Sequence, residues 1–204
     1  MNYKNISARL QGFRTWIPRF FYLTDSDLKE IVNEDMDNQK YQCTYRNIHS
    51  NIFLNWLLIN DKSFRSIFYF RLKEHKIAWV LSHIFLPDVR DIEITGKIAG
   101  GLCIFHGQGT VIGCHKAGKN LQVWQNVTIG RNPKTEVGGI DTPTIGNNVK
   151  IYTNSVVIGN IIIGDNVSIG AGSVVLKSIP PDCTVVGNPA YIVRRNGIRV
   201  NEKL

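Results

Sequence analysis

Six aliphatic residues, Ile145, Ile151, Val157, Ile163, Ile169 and Val175, follow one another at intervals of six. Between them the chain reads IGNNVK, IYTNSV, VIGNII, IGDNVS and IGAGSV. A period of six matches neither the 3.6 of a helix nor the alternation of a single strand. It fits a coil of three short flat strands, each turning one aliphatic residue inward, so that roughly eighteen residues make one triangular turn. Gly, Asn, Asp and Ser fall at the corners, where the chain must bend tightly and often at positive φ. One such coil cannot bury its inner face alone, so the coils must stack.

The beat continues upstream with two interruptions. Ile92, Ile98 and Ile104 share one phase, while Val111, Ala117, Val123 and Ile129 share another that runs one residue late. One extra residue is therefore expected between Ile104 and Val111. From Ile129 to Ile145 the chain has ten residues more than one step, which predicts a polar loop over 131–142 (RNPKTEVGGIDT). Long loops on rigid scaffolds commonly carry function. The coil is expected to end after Val175, because Pro180 and Pro181 cannot donate to a ladder. The tail over 183–195 should then fold back or run along the last coil.

Residues 1–88 have a different grammar. They hold one glycine, Gly12, and many aromatic and long aliphatic side chains, and read as a helical cap ahead of a β-coil domain over 89–204. Thr24 and Asp27 suggest a capping box for a helix over 28–36. Ser63 can cap a helix carrying Phe64, Ile67, Phe68 and Arg71, and a third helix should cover 77–85, ending before Pro87. The apolar stretches 52–59 and 77–86 fall short of the roughly 20 residues of a membrane span and read as buried helices. The segment MNYKNISARLQGF lacks the apolar core of a signal peptide. A cytoplasmic protein without a membrane span is expected.

The net charge of +8 is spread along the chain, with no Lys/Arg run longer than two. That speaks against a nucleic-acid footprint, which needs a patch or stripe, and for anionic small ligands. Cys43, Cys103, Cys114 and Cys183 form no CxxC pair and no zinc spacing, so free thiols in a reducing compartment and no metal site are expected.

The segment DIEITGKIAGGLCIFHGQGTVIG places Asp91 fifteen residues before His106. VTIG at 127–130 precedes the loop, IGAGSVV stands at 169–175, and GNPA closes the coil at 187–190. With the repeats, these motifs resemble the hexapeptide-repeat acyltransferases, and among them the serine acetyltransferase branch, over about residues 91–194. A shorter piece, NDKSFRSIFYFRL at 60–72, resembles that branch's helical region. The resemblance implies a left-handed parallel β-helix behind a helical cap, with acetyl-CoA as donor. It also implies a homotrimer, or a dimer of trimers, with the cofactor in a groove between adjacent subunits.

Carried over position by position, His106 is the base that deprotonates the acceptor hydroxyl, and Asp91 fixes its tautomer by accepting from Nδ1–H. Neutral imidazole suits that task because its pKa lies near working pH. Thr153 and Ala171 line the pantetheine arm; Lys177 and Arg194 meet the CoA phosphates. Phe105, Trp124, Asn126, Asp141 and Thr142 are candidates for shaping the acceptor site. His115, in Cys114-His115-Lys116, is the competing base and reads as a solvated corner. His49, His75 and His83 read as structural or surface residues.

Serine acetyltransferases end the loop with an Arg-His pair before Pro and carry an acidic residue just before the catalytic His. Here Asp141-Thr142 precede Pro143, and Phe105 precedes His106. Burying an amino acid's charged end unpaired costs roughly 3–5 kcal/mol. The expected acceptor is therefore a sugar hydroxyl of a capsular or O-antigen polysaccharide or its precursor, with L-serine as the alternative. A trimeric metal lyase of the carbonic-anhydrase type needs three converging His, and only His106 and His115 lie in the repeats. A catalytically silent scaffold is disfavoured because Asp91, His106 and the cofactor-end motif stay in register.

Overall fold

The computed structural model describes residues 11–42, 50–87 and 91–204. Cys43, His49 and the first ten residues lie outside them. Two compact units divide the chain, Met1–Arg90 and Asp91–Leu204.

The first unit holds α1 (Trp16–Thr24), α2 (Ser26–Gln42), α3 (Ser50–Asn60), α4 (Lys62–Leu72) and α5 (Lys76–Phe85). Its core gathers Leu28 and Val32 of α2, Phe53, Trp56 and Leu57 of α3, Phe64, Phe68 and Tyr69 of α4, and Ala78 of α5. The caps differ from the expected ones. Thr24 lies inside α1, its hydroxyl donating to the Phe20 carbonyl, and Asp25 caps α2 by accepting from the Leu28 N–H at 2.8 Å. Asp61 caps α4 by accepting from the Phe64 N–H, which leaves Ser63 buried within the helix. In both cases an aspartate one or two residues from the expected cap reaches the orphan N–H. Arg71 does not face water: it pairs with Asp35 at 2.9 Å with both side chains buried. Not every aromatic is core, since Phe13, Trp16 and Phe20 are exposed. Among the described residues no helix is long and apolar enough to cross a membrane.

The second unit is a left-handed parallel β-helix. Its strands are β1 (Ile92–Ile98), β2 (Cys103–Ile104), β3 (Thr110–Ala117), β4 (Gln122–Val123), β5 (Thr128–Gly130), β6 (Thr144–Ile145) and β7 (Lys150–Ile151). They continue with β8 (Val156–Ile158), β9 (Ile162–Ile163), β10 (Ser168–Ile169), β11 (Val174–Val175), β12 (Cys183–Val186), β13 (Tyr191–Arg195) and β14 (Ile198–Lys203). One face stacks the first half of β3 on β5, β8 and β11; the next stacks the second half of β3 on β6 and β9; the third stacks β2, β4, β7, β10 and β12. Strand β1 lies parallel to β3 along both of its halves. β13 and β14 fold back antiparallel beyond β12.

The third face buries two positions in each coil rather than one. On the third face Ile104, Val123, Ile151, Ile169 and Val185 point inward, and so do Leu102, Leu121, Val149, Val167 and Cys183, two residues before each. The phase after Ile104 also differs from the reading above. Ile112, fully buried, lies opposite Ile129, while Val111 is 36% exposed. In the coil above, Ile94 rather than Ile92 stands opposite Ile112. Two residues are therefore inserted before Ile112, and the step from Ile112 to Ala117 is one short. The strand alternation hides this, because either of two adjacent aliphatics can be assigned to the core. The coil also runs past Val175. Ile179 bridges to Ile163, Pro180 and Pro181 occupy the next corner, and β12 adds a further rung. Prolines at a corner remove no ladder bond. Cys103, Cys114 and Cys183 are free and buried, and burial pushes the Cys114 thiol up to about 11.

The corner between the second and third faces is held by a side-chain ladder. Asn120, Asn148, Asn166 and Asp182 all have φ between +55° and +61°. Each amide donates to the residue one coil below: Asn120 to Asn148 at 2.9 Å, Asn148 to Asn166 at 3.0 Å, and Asn166 to Asp182 at 2.9 Å. Above them Gly101 is required, because a Cβ there would lie 2.3 Å from the Asn120 amide oxygen. Asn148→Ala should lose both ladder bonds and strain the left-handed backbone, lowering unfolding free energy by about 2 kcal/mol. Asn148→Gly, which relieves the strain, should cost less. Urea denaturation reads the difference, and an alanine variant as stable as the parent would remove the ladder from the account.

Candidate active site

The corner that joins the third face to the first is built from aligned columns. Phe105, Trp124 and Tyr152 form one: the Phe105 and Trp124 rings stack with centroids 4.3 Å apart, and Trp124 and Tyr152 lie 4.4 Å apart. Gln108, Gln125 and Thr153 form the next column, and Gly109, Asn126 and Asn154 the last. They are tied by bonds from the Asn126 N–H to the Gln108 carbonyl and from the Asn154 N–H to the Gln125 carbonyl. This alignment leaves His106 and Gly107 without counterparts. They are the two inserted residues.

The insertion turns back on itself. The Gly107 N–H donates to the Phe105 carbonyl at 2.7 Å, and the Gln108 N–H to the His106 carbonyl at 2.9 Å. His106 has φ +63°, and the other seven non-glycine residues described at positive φ are all Asn or Asp. Their short side chains bond locally and tolerate that region; a histidine there is held at a cost of about 1 kcal/mol or more, the kind of strain that clusters at working sites. Its side chain is exposed. Asp91 stands one coil above the same corner, its carbonyl accepting from the Thr110 N–H at 3.2 Å. Its side chain is also exposed, and no hydrogen bond or ion pair joins it to His106.

The loop over 131–142 leaves the corner between the first and second faces. Asn132 caps a short turn, Pro133–Thr135, by accepting from the Lys134 N–H. Gly138 and Gly139, at φ +60° and +80°, make the two-residue turn between the paired Val137 and Ile140. The Thr135 hydroxyl accepts from the Asn160 N–H at 2.8 Å, and the Asn132 N–H donates to the Asp141 carbonyl at 2.9 Å. Across the loop's base Arg131 Nε donates to Asp141 Oδ2 at 2.7 Å. The Asp141 side chain is 10% exposed and that of Arg131 72%. The carboxylate beside it raises the Arg131 pKa, so the guanidinium is charged at any working pH. Thr142 is half-buried, and the Pro143 carbonyl accepts from the N–H of His115, whose side chain is exposed.

Thr153 donates its hydroxyl to the Gln125 carbonyl at 3.1 Å, and Ala171 is exposed one coil further on, bringing both into the column beside His106. Lys177 and Arg194 are not brought together. Lys177 lines a hollow with Tyr191 and Lys203 and donates to the Leu204 carbonyl at 2.6 Å. Arg194 lines a separate one with Asn166, Asp182 and Thr184. Asn126 is a corner residue at φ +56° beneath Gly109. Sequence reasoning missed Tyr152 and Arg131. Tyr152 was findable, because it follows Trp124 by one coil plus the loop insertion.

The sequence profile described as "Bacterial transferase hexapeptide (six repeats)" matches residues 142–177. The chain belongs to the hexapeptide-repeat transferases. Within them it is similar to serine acetyltransferases. It is 44% identical over 128 residues to the serine acetyltransferase of Synechococcus elongatus, covering 61% of this chain and 51% of that protein. It is 46% identical over 134 residues to that of Staphylococcus aureus, covering 64% and 61%. The crystal structure of Neisseria gonorrhoeae serine acetyltransferase in complex with serine superposes with a TM-score of 0.65 at 30% identity, covering 84% of this chain and 71% of that one. The chain thus spans half to three-fifths of the length of these two curated relatives.

These matches overturn the polysaccharide-acceptor expectation. It rested on two positions, the loop end and the residue before His106, as a test for amino-acid charges. The loop base nevertheless carries a cation, Arg131, paired with the loop-end carboxylate of Asp141, and counting only those two positions overlooks it.

The aromatic column gives a test of the corner. Trp124→Ala removes the middle ring and both stacking partners, and should lower unfolding free energy by about 2–3 kcal/mol. Trp124→Phe should lose less than half of that. Urea denaturation of the two variants checks it, and equal losses would show that a ring at this position does not hold the column.

Proposed function

We propose that the protein is a serine O-acetyltransferase that uses acetyl-CoA as donor. The observation that carries this reading is His106, displaced from the coil by a two-residue insertion and held at φ +63° beside the column of Thr153 and Ala171. In the reaction, neutral His106 Nε2 takes the proton of the serine hydroxyl as its oxygen attacks the thioester carbonyl. A tetrahedral oxyanion forms; its collapse breaks the C–S bond, and the imidazolium returns the proton to the CoA sulfur. Asp91, which makes no bond to His106 in this structure, would accept from its Nδ1–H once the acceptor is bound, favouring the tautomer with Nε2 free and steadying the imidazolium. Thr153 and Ala171 line the pantetheine arm, and Lys177 and Arg194 each meet CoA phosphate groups at their own hollows. In a homotrimer, or a dimer of such trimers, the corner of one copy would close against the next.

The test is release of the CoA thiol from acetyl-CoA with L-serine as acceptor. Saturable turnover is expected, and a folded protein with no serine-dependent release overturns the reading. His106→Ala should lower kcat by roughly 10²–10⁴-fold while leaving the acetyl-CoA KM nearly unchanged. Asp91→Asn should also lower kcat, non-additively with His106→Ala, and His115→Ala should do little. A folded His106→Ala protein with near-parental kcat rules out His106 as the base.

Lys177→Ala/Arg194→Ala should raise the acetyl-CoA KM with a much smaller change in kcat, because phosphate contacts act on ground-state binding. Steady-state kinetics at saturating serine reads this, and an unchanged KM removes both residues from the cofactor site.

A further inference from the structure

We propose that Arg131 and Asp141 bind the two charged ends of the amino-acid acceptor, the Arg131 Nη groups taking its carboxylate and Asp141 Oδ1 its ammonium. The inference rests on the serine reading above and names residues for its specificity. An amino acid held at a transferase corner must have both its charges answered, since leaving either unpaired in a desolvated site is costly. Two ion pairs are described in the β-helical unit, Arg195–Glu202 and Arg131–Asp141. The first ties β13 to β14 in the terminal hairpin. The second stands on the one long loop that interrupts the coil.

Its geometry leaves binding capacity unused. Arg131 engages Asp141 through Nε alone, at 2.7 Å, and its guanidinium is largely in solvent. Both Nη groups are without a protein partner among the described residues, and together they present the fork that takes a carboxylate bidentately. Asp141 commits Oδ2 to Arg131 and leaves Oδ1 without a protein donor among the described residues. The pair is also not needed to hold the loop. The Thr135–Asn160 bond, the Asn132–Asp141 backbone bond and the Val137–Ile140 pairing already do so. The loop base and the His106 corner lie at opposite ends of the first face, about 13 Å apart along the strand direction.

The experiment uses the full chain with saturating acetyl-CoA and compares L-serine with ethanolamine, which has the hydroxyl and ammonium but no carboxylate. L-alanine, with both charged ends and no hydroxyl, serves as a competitive inhibitor. Arg131→Ala should raise the L-serine KM and the L-alanine inhibition constant by about 10- to 100-fold. The acetyl-CoA KM and the turnover of ethanolamine should be unchanged. Arg131→Lys should recover part of the loss. Asp141→Asn should also weaken L-serine and L-alanine, and should weaken ethanolamine with them. Variants are checked for fold by circular dichroism, and the two conservative ones keep the test readable if Arg131→Ala misfolds. An unchanged L-serine KM in folded variants overturns the clamp. So does an equal loss with ethanolamine in Arg131→Ala, or a rise in acetyl-CoA KM of the same size, either of which marks a structural latch. A parent protein that turns over serine while its variants bind it normally refutes the clamp alone. A parent inactive toward serine refutes both readings.

Discussion

Each rung of the β-helix bonds to the rungs above and below, and it can do so only if every coil turns its corners at the same places. That requirement propagates through the whole second unit. On the third face it sets two inward residues per coil, so that Ile151 sits on Val123 and Ile169 on Ile151 with Val149 and Val167 beside them. It demands left-handed backbone at each corner, which is why asparagines recur there and bond to one another down the stack. A residue that breaks the register must either leave the coil or be compensated within one turn. His106 and Gly107 leave it, and the shortened step from Ile112 to Ala117 restores phase before β4.

The same rigidity makes the corner usable for chemistry. A bulge on a soft scaffold would move; here Phe105, Trp124 and Tyr152 stack beneath the point where His106 departs, and backbone bonds tie each of the three residues to the coil below its own. The loop over 131–142 follows the same logic at another corner. It bulges because it cannot join the ladder, and it holds its shape through its own turn, its paired glycine bend and an anchor on Asn160. The proposed base and the proposed acceptor clamp both stand where the repeat is interrupted, His106 at the inserted corner and Arg131 at the loop base.

Much of this was legible in the residues. The six-residue beat announced the architecture, and Asp91 and His106 stood out by spacing and context. Where the reading slipped, two neighbouring options satisfied the same local rule. Val111 and Ile112 are both aliphatic, and only pairing with Ile129 shows which one faces in. Thr24 and Asp25 both can cap, as can Asp61 and Ser63, and the choice follows from which side chain reaches the orphan N–H once the helix axis is set. The acceptor was misjudged for a related cause. A test of two fixed positions could not register charge carried by Arg131, ten residues from the Asp141 it pairs with.

The sequence by itself determined the repeat, its length, the place of its interruptions and the residue types able to do acyl chemistry. These are local properties, written in the spacing of aliphatics and small corner residues along the chain. The tertiary structure alone decided which residues are extra, because insertion is defined only against the coils above and below. It alone brought Thr153 and Ala171 into the column beside His106, placed Lys177 and Arg194 in different hollows, and closed Arg131 onto Asp141. Neighbours in a stacked coil are separated by a whole turn of chain, or by a turn plus a loop. Distance along the sequence therefore says little about contact until the register is known.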